Sequence, residues 1–362
     1  MKLPTYIDPS LRSRMSIPQS EVPAFNFIGS QLKEVKKLIN EQLSTSAKTG
    51  IVNQLLEYLN TSGGKMIRPG LVLLAGSAVS KITDEHIRIA AIFEMFHNAT
   101  LLHDDVIDDG QKRRGQPTIN SLWGNEAAVL LGDFLLSRVF KMCTRLEPQV
   151  AKEIAVTVAR VCEGELRQVN EKRNWPGCGK LRLDEQLSET QYLEIITEKS
   201  ASVFSSCCYL GGLLSKGTET QLQSLRCFGL NAGIAFQITD DLLDIIGDEK
   251  ITGKTLGSDV NKSKLTLALI HLLKVARQKD KKTVVSFVRR PSSVVSCLVK
   301  ENKEYNREML LGLLRSYGSF EYARSRAQDF VKKAIAALAD LKDSDAKKAL
   351  IETAKFMANR AV

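Results

Sequence analysis

The sequence predicts an all-α fold, and three observations support this prediction. Apolar residues recur three and four positions apart along almost the whole chain after residue 25, which is the period of helices that bury one face. No segment shows the alternation of apolar and polar residues that is typical of a half-buried strand. Hydrophobic residues make up 43% and charged residues 25% of the 362 residues, a balance that excludes a disordered chain and supplies a core.

The predicted elements follow one another without a long linker. Residues 1–25 contain four prolines and predict an extended N-terminal arm. Helical periodicity then continues to the end of the chain, with breaks at 63–64, 110–117, 174–180, 247–257 and 289–293. Because no stretch rich in Gly, Ser or Pro separates these helices, residues 26–362 are predicted to form a single helical domain.

Composition also limits the class of protein. No apolar run approaches the roughly 20 residues that span a bilayer, and the N-terminus lacks the apolar core of a secretory signal. Seven cysteines without a C-x-x-C pair argue against a zinc site or a disulfide framework, and they favour a reducing compartment. We therefore expect a cytoplasmic protein.

Positive charge is concentrated in the last third of the chain. The net charge is +10 overall, and the segment from residue 251 onward carries 23 basic and 11 acidic residues. Such a segment could attract nucleic acid or lipid headgroups. Its charges alternate with apolar residues at helical spacing, as in VKKAIAALADLKDSDAKKAL, which favours solvated helix faces. A nucleic-acid-binding helical protein stays as an alternative, but we expect no nucleic-acid partner.

Two segments, LLHDDVIDDGQKRRG and FQITDDLLDIIGDEK, carry clustered carboxylates. Each has aspartates at i, i+1 and i+4 of a predicted helix: Asp104, Asp105 and Asp108 in the first motif, and Asp240, Asp241 and Asp244 in the second. Gly110 and Gly247 are predicted to end the two helices, so the carboxylates repel one another and meet the negative end of the helix dipole. A hard divalent cation such as Mg²⁺ offsets this repulsion and keeps positions open for phosphate oxygens.

Basic residues follow both motifs. Lys112, Arg113 and Arg114 come after the first, and Lys250 and Lys254 come after the second. Carboxylates, metal ions and guanidinium groups together make a clamp for a polyphosphate. The sequence lacks a Gly-x4-Gly-Lys-Ser/Thr loop, which argues against a P-loop nucleotide site.

A third cluster precedes the first aspartate motif. In GGKMIRP, Gly64 permits close approach of the backbone, and Lys65 and Arg68 lie on one helical face. His97 lies two helical turns before Asp104 and shares its face. Together these residues predict a second anion site that needs no metal.

These motifs resemble those of the all-trans-polyprenyl diphosphate synthases, most closely the octaprenyl-type long-chain members. The resemblance runs from about Gly64 to the C-terminus and includes HNATLLHDDVIDD, RRGQPT, GNEAAVLLGDFLL, EGELRQ, TEKSA, GKTLGSD and NKSKLT. It implies helices packed around a central cavity, usually in a homodimer. Ser200 departs mildly from the family, in which Thr commonly follows the lysine.

The resemblance also implies a role for each motif residue. Mg²⁺ ions would be bound by Asp104, Asp105, Asp108, Asp240, Asp241 and Asp244. The allylic diphosphate would be contacted by Arg113, Lys199, Gln237, Lys254 and Lys264. Isopentenyl diphosphate would be held by Gly64, Lys65, Arg68, His97 and Arg114. A catalytic role would fall to the six aspartates and Lys199, and a peripheral membrane contact would serve product release.

Product length is expected to depend on the helix before Asp104. In the family, the fifth residue before the first aspartate guards the cavity, and here it is Ala99, with Thr100 beside it. Both leave space, whereas Phe96, one turn deeper, would shorten the cavity. We predict hexaprenyl to decaprenyl products, which would serve as quinone side chains. A short-chain farnesyl or geranylgeranyl diphosphate synthase, a terpene cyclase and a noncatalytic subunit are the alternatives.

Overall fold

The structure is a computed structural model that describes residues 22–44, 50–61, 64–113, 115–173, 188–246, 265–288 and 300–359. Helices contain nearly all of these residues, which confirms the all-α prediction. Contacts within the chain group it into two compact units. The first comprises Met1–Ala151, Cys207–Leu222 and Leu341–Leu350, and the second comprises Lys152–Ser206, Gln223–Asp340 and Ile351–Val362. The single domain over 26–362 stays a prediction.

The elements up to residue 143 belong to the first unit. They are a 3₁₀ helix Pro23–Ile28, α1 Gly29–Ser44, α2 Gly50–Thr61, α3 Ile67–Val79, α4 Asp84–Ile107, β1 Lys112–Arg113, β2 Gln116–Pro117, α5 Ile119–Trp123 and α6 Asn125–Cys143. The two strands form one antiparallel ribbon, in which Arg113 pairs with Gln116. With two residues each, these strands are too short to produce an alternating pattern, so the sequence did not reveal them.

The following helices continue the chain through the second unit. They are α7 Pro148–Arg173, α8 Glu189–Ile196, a π-helical turn Thr197–Ala201, α9 Ser202–Leu214, α10 Glu219–Ile246, α11 Leu267–Val275, α12 Gln278–Val288, α13 Lys300–Ser316, α14 Ser319–Ala337 and α15 Asp345–Ala358. The first four residues of α7 belong to the first unit and the rest belong to the second. Helices α9, α10 and α15 are likewise divided between the two units. The described part of the chain contains no helix that is both long and apolar enough to cross a membrane.

Most of the predicted N-terminal arm, residues 1–21, lies outside the described part, so the boundary at residue 25 stays a prediction. Pro23 begins a 3₁₀ helix, and its fixed φ suits the first positions of a helix. Ala24 and Phe25 are both buried, so the last residues of the predicted arm are packed rather than extended.

Helix α4 is the central helix of the first unit. Nearly every residue between His86 and Phe96 is buried, and α4 packs against α1, α3, α5 and α6. A helix that is apolar on all sides belongs in a core. This burial fixes the end of α4, where the first aspartate motif lies.

A tight crossing within the first unit joins α3, α4 and α9. A Cβ atom on Gly76 would lie 2.5 Å from the His86 ring, and one on Gly211 would lie 2.3 Å from the Val72 carbonyl oxygen. Only glycine allows the three helices to approach this closely. The His86 ring is fully buried at the crossing.

The His86 ring bonds through both of its nitrogens. The backbone N–H of Thr83 donates to Nδ1 at 3.0 Å, so the proton is on Nε2, which donates to the Gly211 carbonyl oxygen at 3.0 Å. The Ser215 hydroxyl lies 3.0 Å from Nε2 and donates to the Gly76 carbonyl oxygen. The cluster therefore holds a neutral imidazole, and protonation of Nδ1 would break the Thr83 bond.

The second unit is organised around α11. Almost all residues between Leu267 and Leu273 are buried, and α11 packs against α8, α12, α13 and α14. The start of α8 is tied to α14, because Tyr322 and Arg326 both donate to the carboxylate of Glu189. The His271 ring stacks on Tyr322 with a centroid distance of 4.2 Å.

We expect His86 to make the protein less stable in acid. Burial lowers the pKa of His86 below its ordinary value of 6.5, whereas the unfolded chain retains that ordinary value. The unfolded state therefore binds more protons, and stability is complete above pH 6.5 and falls as the pH drops towards the folded-state pKa. Each unit of lowering is equivalent to about 1.4 kcal/mol.

Urea unfolding at pH 7.5 and pH 5.5 would measure this effect. His86→Gln cannot be protonated, so its midpoint is expected to change less between the two pH values than that of the wild type. His103→Gln alters a histidine outside the cluster and should retain the wild-type difference. Equal pH dependence in the wild type and His86→Gln would contradict the assignment.

Candidate active site

The first aspartate motif ends α4 in a Schellman turn. The N–H of Gly110 donates to the Asp105 carbonyl oxygen at 2.8 Å, and that of Asp109 donates to Val106 at 3.2 Å. Asp109, with φ of 47°, takes the left-handed position. The predicted stop at Gly110 is therefore one residue too late, because aspartate tolerates this conformation better than most residues.

One carboxylate of the first motif is paired with an arginine. Asp105 is buried, and Arg113 grips it with Nη2 at 2.8 Å and Nε at 3.0 Å from Oδ1. Burial raises the pKa of the Asp105 carboxyl above its ordinary range, and the Arg113 guanidinium counteracts this rise. Asp104 and Asp108 are partly exposed. Two residues expected to bind a metal and a substrate thus bind each other.

The loop after α4 holds Arg113 in this position. The Thr118 hydroxyl donates to the Gly110 carbonyl oxygen at 2.6 Å, and the Asn120 amide donates to the carbonyl oxygens of Asp105 and Gly110. The Tyr58 hydroxyl donates to the Pro117 carbonyl oxygen at 2.6 Å. Sequence reasoning missed Thr118 and Asn120, and their only signal was a pair of polar residues following a glycine turn.

The residues expected to bind isopentenyl diphosphate lie around the start of α3 and on the neighbouring helix α4. Lys65 precedes α3, Arg68 lies in its first turn, and His97 lies on α4, which packs against α3. All three side chains are partly exposed, as is Gly64. Arg114 lies outside the described residues.

Arg68 of this cluster and Glu94 of α4 both act electrostatically on the buried thiol of Cys207. The pKa of Cys207 is raised chiefly by its complete burial, and the charges of Arg68 and Glu94 act on it in opposite directions. Glu94 is only 4% exposed, so a buried carboxylate shares the neighbourhood of Arg68. Sequence reasoning missed Glu94, whose only signal was a charged residue on an otherwise apolar helix.

The second aspartate motif occupies the last two turns of α10. Asp240, Asp241 and Asp244 are all partly exposed. The Gln237 amide donates to Asp241 Oδ1 at 2.8 Å, and the Tyr192 hydroxyl donates to Asp241 Oδ2 at 2.7 Å. Gln237, expected to contact a diphosphate, is thus engaged with an aspartate of the motif. The predicted stop at Gly247 lies outside the described residues.

Lys199 lies in the π-helical turn and is bound by two residues of α7. Its Nζ is 2.6 Å from Glu165 Oε1 and donates to Gln168 Oε1 at 3.1 Å. A Cβ atom on Gly164 would lie 2.7 Å from the Lys199 backbone nitrogen, so only glycine allows α7 to lie this close to the turn. π-Helical turns are frequently found at functional sites. Lys254 and Lys264 lie outside the described residues.

The donor set of the two motifs suits a hard divalent cation. Carboxylate oxygens are the ligands that Mg²⁺ prefers, and each motif has an i, i+4 pair of partly exposed aspartates. Within the described ranges, no group of three or more His, Cys, Asp or Glu side chains is close enough to hold a metal ion by itself.

Two of the three residues expected to limit product length are buried in the first unit. Ala99 is fully buried and Phe96 is 5% exposed, one turn apart on α4. Thr100 is partly exposed, and its hydroxyl donates to the His97 carbonyl oxygen at 2.8 Å. A small side chain at residue 99 is therefore surrounded by core rather than by solvent.

Comparisons with known proteins match these features. The family profile described as Polyprenyl synthetase covers residues 49–301. Octaprenyl diphosphate synthase of Escherichia coli is 34% identical over 327 residues, which are 90% of this chain and 94% of that protein. Short chain isoprenyl diphosphate synthase of Methanothermobacter thermautotrophicus is also 34% identical, over 91% of this chain and 97% of that protein.

A solved structure supports the same relationship. Polyprenyl synthase from Caulobacter crescentus, complexed with calcium and isoprenyl diphosphate, superposes with a TM-score of 0.83 and 29% identity, over 94% of this chain and 97% of that chain. The helical fold and the paired aspartate motifs define a prenyltransferase. The chain belongs to the polyprenyl synthetase family and is a trans-prenyl diphosphate synthase. Enzymes of this family join isopentenyl diphosphate to an allylic diphosphate and use divalent metal ions.

We expect Gly164→Ala to impair catalysis. The added Cβ meets the backbone of Lys199, so α7 and the π-helical turn must separate and Lys199 shifts. Because a displacement of about 1 Å in an active site can cost about a hundredfold in rate, we expect kcat/KM to fall by about that factor. Steady-state kinetics with varied allylic diphosphate would measure it.

Gly312→Ala is the matched control, because a Cβ there meets nothing within 4 Å. This variant should keep wild-type kinetics, with a stability gain of about 0.4–1 kcal/mol. Wild-type kcat/KM in Gly164→Ala would show that the close approach of α7 is not required.

Proposed function

We propose that the enzyme makes long-chain all-trans-polyprenyl diphosphates, in the hexaprenyl to decaprenyl range, from isopentenyl diphosphate and an allylic diphosphate with Mg²⁺. The observation that carries the length is Ala99, a small and fully buried residue five positions before Asp104. A buried alanine adds little volume to the interior, whereas an aromatic ring there would fill it. Polyprenyl products of this length suit quinone side chains.

The metal ions are assigned to the six aspartates. Asp104, Asp108, Asp240 and Asp244 are all partly exposed to solvent. Asp105 and Asp241 are engaged with protein donors, but a carboxylate has about four lone-pair sites, so each keeps acceptor capacity. Bound Mg²⁺ would supply positive charge to the oxygens of the allylic diphosphate.

The cationic side chains divide between the two substrates. Arg113, Lys199 and Gln237 are assigned to the allylic diphosphate, together with Lys254 and Lys264. Gly64, Lys65, Arg68, His97 and Arg114 are assigned to isopentenyl diphosphate. Support comes from Arg113 and Lys199, which each hold a carboxylate in this structure and so are placed to exchange it for a phosphate oxygen.

The reaction follows from this division of roles. When pyrophosphate leaves the allylic substrate, negative charge develops on it, and the fixed cationic side chains stabilise that charge. The remaining allylic cation must be kept from water, which requires a dry cavity between helices. The double bond of isopentenyl diphosphate attacks the cation, a new carbon–carbon bond forms, and a proton passes to the released pyrophosphate.

A homodimer is part of the proposal. Helix α6 exposes several large apolar side chains, which are Val129 at 38%, Leu130 at 67% and Phe140 at 62%. Val129 and Phe140 lie on one face of the helix because they are eleven residues, or about three turns, apart. Such an apolar face is typical of a surface that a partner covers.

The metal assignment predicts a loss of turnover in aspartate variants. Asp104→Ala or Asp240→Ala should lose at least about a hundredfold in turnover, since each removes a charge that binds the metal. Asp340→Ala, which changes an exposed aspartate after α14, should retain full turnover. Mg²⁺ with inorganic pyrophosphate should also raise the melting temperature of the wild type. Full activity in excess EDTA would contradict the assignment.

Product length is tested by incubating the purified enzyme with labelled isopentenyl diphosphate, each candidate primer and Mg²⁺, and sizing the products. Ala99→Tyr should shorten the product towards farnesyl or geranylgeranyl length, because the ring fills buried space. Phe96→Ala should leave the length unchanged or increase it. Overpacking costs about 1–3 kcal/mol, so melting temperatures are measured in parallel.

Ala99→Ser, which adds one oxygen atom, is the control and should keep the wild-type length. A wild type that stops at farnesyl diphosphate with excess isopentenyl diphosphate would overturn the long-chain proposal. The short-chain alternative, favoured by the buried ring of Phe96, would then replace it.

A further inference from the structure

A tyrosine that no motif includes makes contact with the second aspartate motif. Tyr192 lies on α8 and is only 3% exposed, yet its hydroxyl donates to Asp241 Oδ2 at 2.7 Å. Burying a hydroxyl without a partner is unfavourable, so this bond accounts for a tyrosine where the apolar surroundings would suit phenylalanine. Tyr192 therefore donates to Oδ2 of Asp241, whereas Gln237 donates to Oδ1.

Gln237 holds the other oxygen of Asp241 and is itself held. Its Nε2 donates to Asp241 Oδ1 at 2.8 Å, and its Oε1 accepts a bond from the Ser200 hydroxyl at 2.7 Å. Because the two ends of the amide have opposite polarity, these bonds define its orientation. Ser200 supplies the hydroxyl that threonine would supply, which explains why serine is tolerated there.

The result is a carboxylate bound on both sides. A side-chain carboxyl normally rotates about its terminal torsion, but one donor on each oxygen fixes its plane. A carboxylate oxygen can accept more than one bond, so these two bonds do not by themselves prevent Asp241 from binding a metal ion. A ligand that requires a defined direction of approach, as Mg²⁺ does with its near-octahedral geometry, gains from this fixed orientation.

We propose that Tyr192 is a positioning residue that orients Asp241 for divalent metal binding. The inference rests on the proposed function, in which the second aspartate motif binds Mg²⁺. Partners that orient metal-binding carboxylates typically change metal affinity by about tenfold or more when they are removed. The Tyr192 hydroxyl therefore sets the Mg²⁺ concentration that the enzyme requires.

The test compares two tyrosine variants that lose the same kind of bond. Tyr192→Phe removes the hydroxyl from Asp241, and Tyr322→Phe removes a hydroxyl from Glu189, outside the aspartate motifs. The melting temperature of each full-length protein is recorded as Mg²⁺ is titrated at saturating inorganic pyrophosphate. Prenyl transfer is assayed over the same range of Mg²⁺.

Tyr192→Phe should need about tenfold more Mg²⁺ than the wild type for half of the rise in melting temperature and for half-maximal turnover. Tyr322→Phe should titrate like the wild type even if its melting temperature in EDTA is lower, which separates a positioning role from a structural one. Ser200→Ala loosens the other side of the same carboxylate and should raise the Mg²⁺ requirement too. This variant keeps the proposal testable if Tyr192→Phe fails to fold.

Wild-type Mg²⁺ titrations in both Tyr192→Phe and Ser200→Ala would overturn the inference and leave the proposed function intact. A wild-type enzyme that gains no stability from Mg²⁺ with pyrophosphate and needs no Mg²⁺ for turnover would overturn the metal role of the motif and the inference together.

Discussion

Both aspartate motifs sit at the C-terminal ends of helices, where the helix dipole and neighbouring carboxylates oppose further negative charge by about 0.3–1 kcal/mol each. In the structure, protein donors bind one carboxylate of each motif. Asp105 forms an ion pair with Arg113, and Asp241 accepts hydrogen bonds from Gln237 and Tyr192. The loop after α4 carries Arg113, and α8 carries Tyr192. The π-helical turn carries Ser200, which holds Gln237.

Two cations among the described residues near the motifs are paired with carboxylates. Lys199 is bound by Glu165, much as Arg113 is bound by Asp105. In the proposed division of roles, a diphosphate would have to displace a carboxylate to reach either cation, and only a group with comparable negative charge would do so without loss. Under that proposal, the pairing would favour a diphosphate over a neutral prenyl alcohol.

Much of the fold followed from periodicity, because α4 and α10 repeat their apolar residues at helical spacing and thereby place the aspartates. The details that depend on contacts distant in sequence did not follow. Tyr192 lies 49 residues before Asp241, and Glu165 lies 34 residues before Lys199, so no local pattern links them. The turn at Asp109 was missed since glycine is the usual signal, and Gly110 is adjacent. Arg114, Lys254 and Lys264 lie outside the described residues and keep their roles as proposals.

The crossing at His86 has a consequence for how the chain is made. His86 bonds to Gly211 and Ser215, which are more than a hundred residues later in the sequence, and the first unit also includes Leu341–Leu350. During synthesis at about 5–20 residues per second, the surfaces of α3 and α4 that meet α9 therefore lack that partner for many seconds. Throughout that interval the growing chain exposes apolar surface that the finished protein buries.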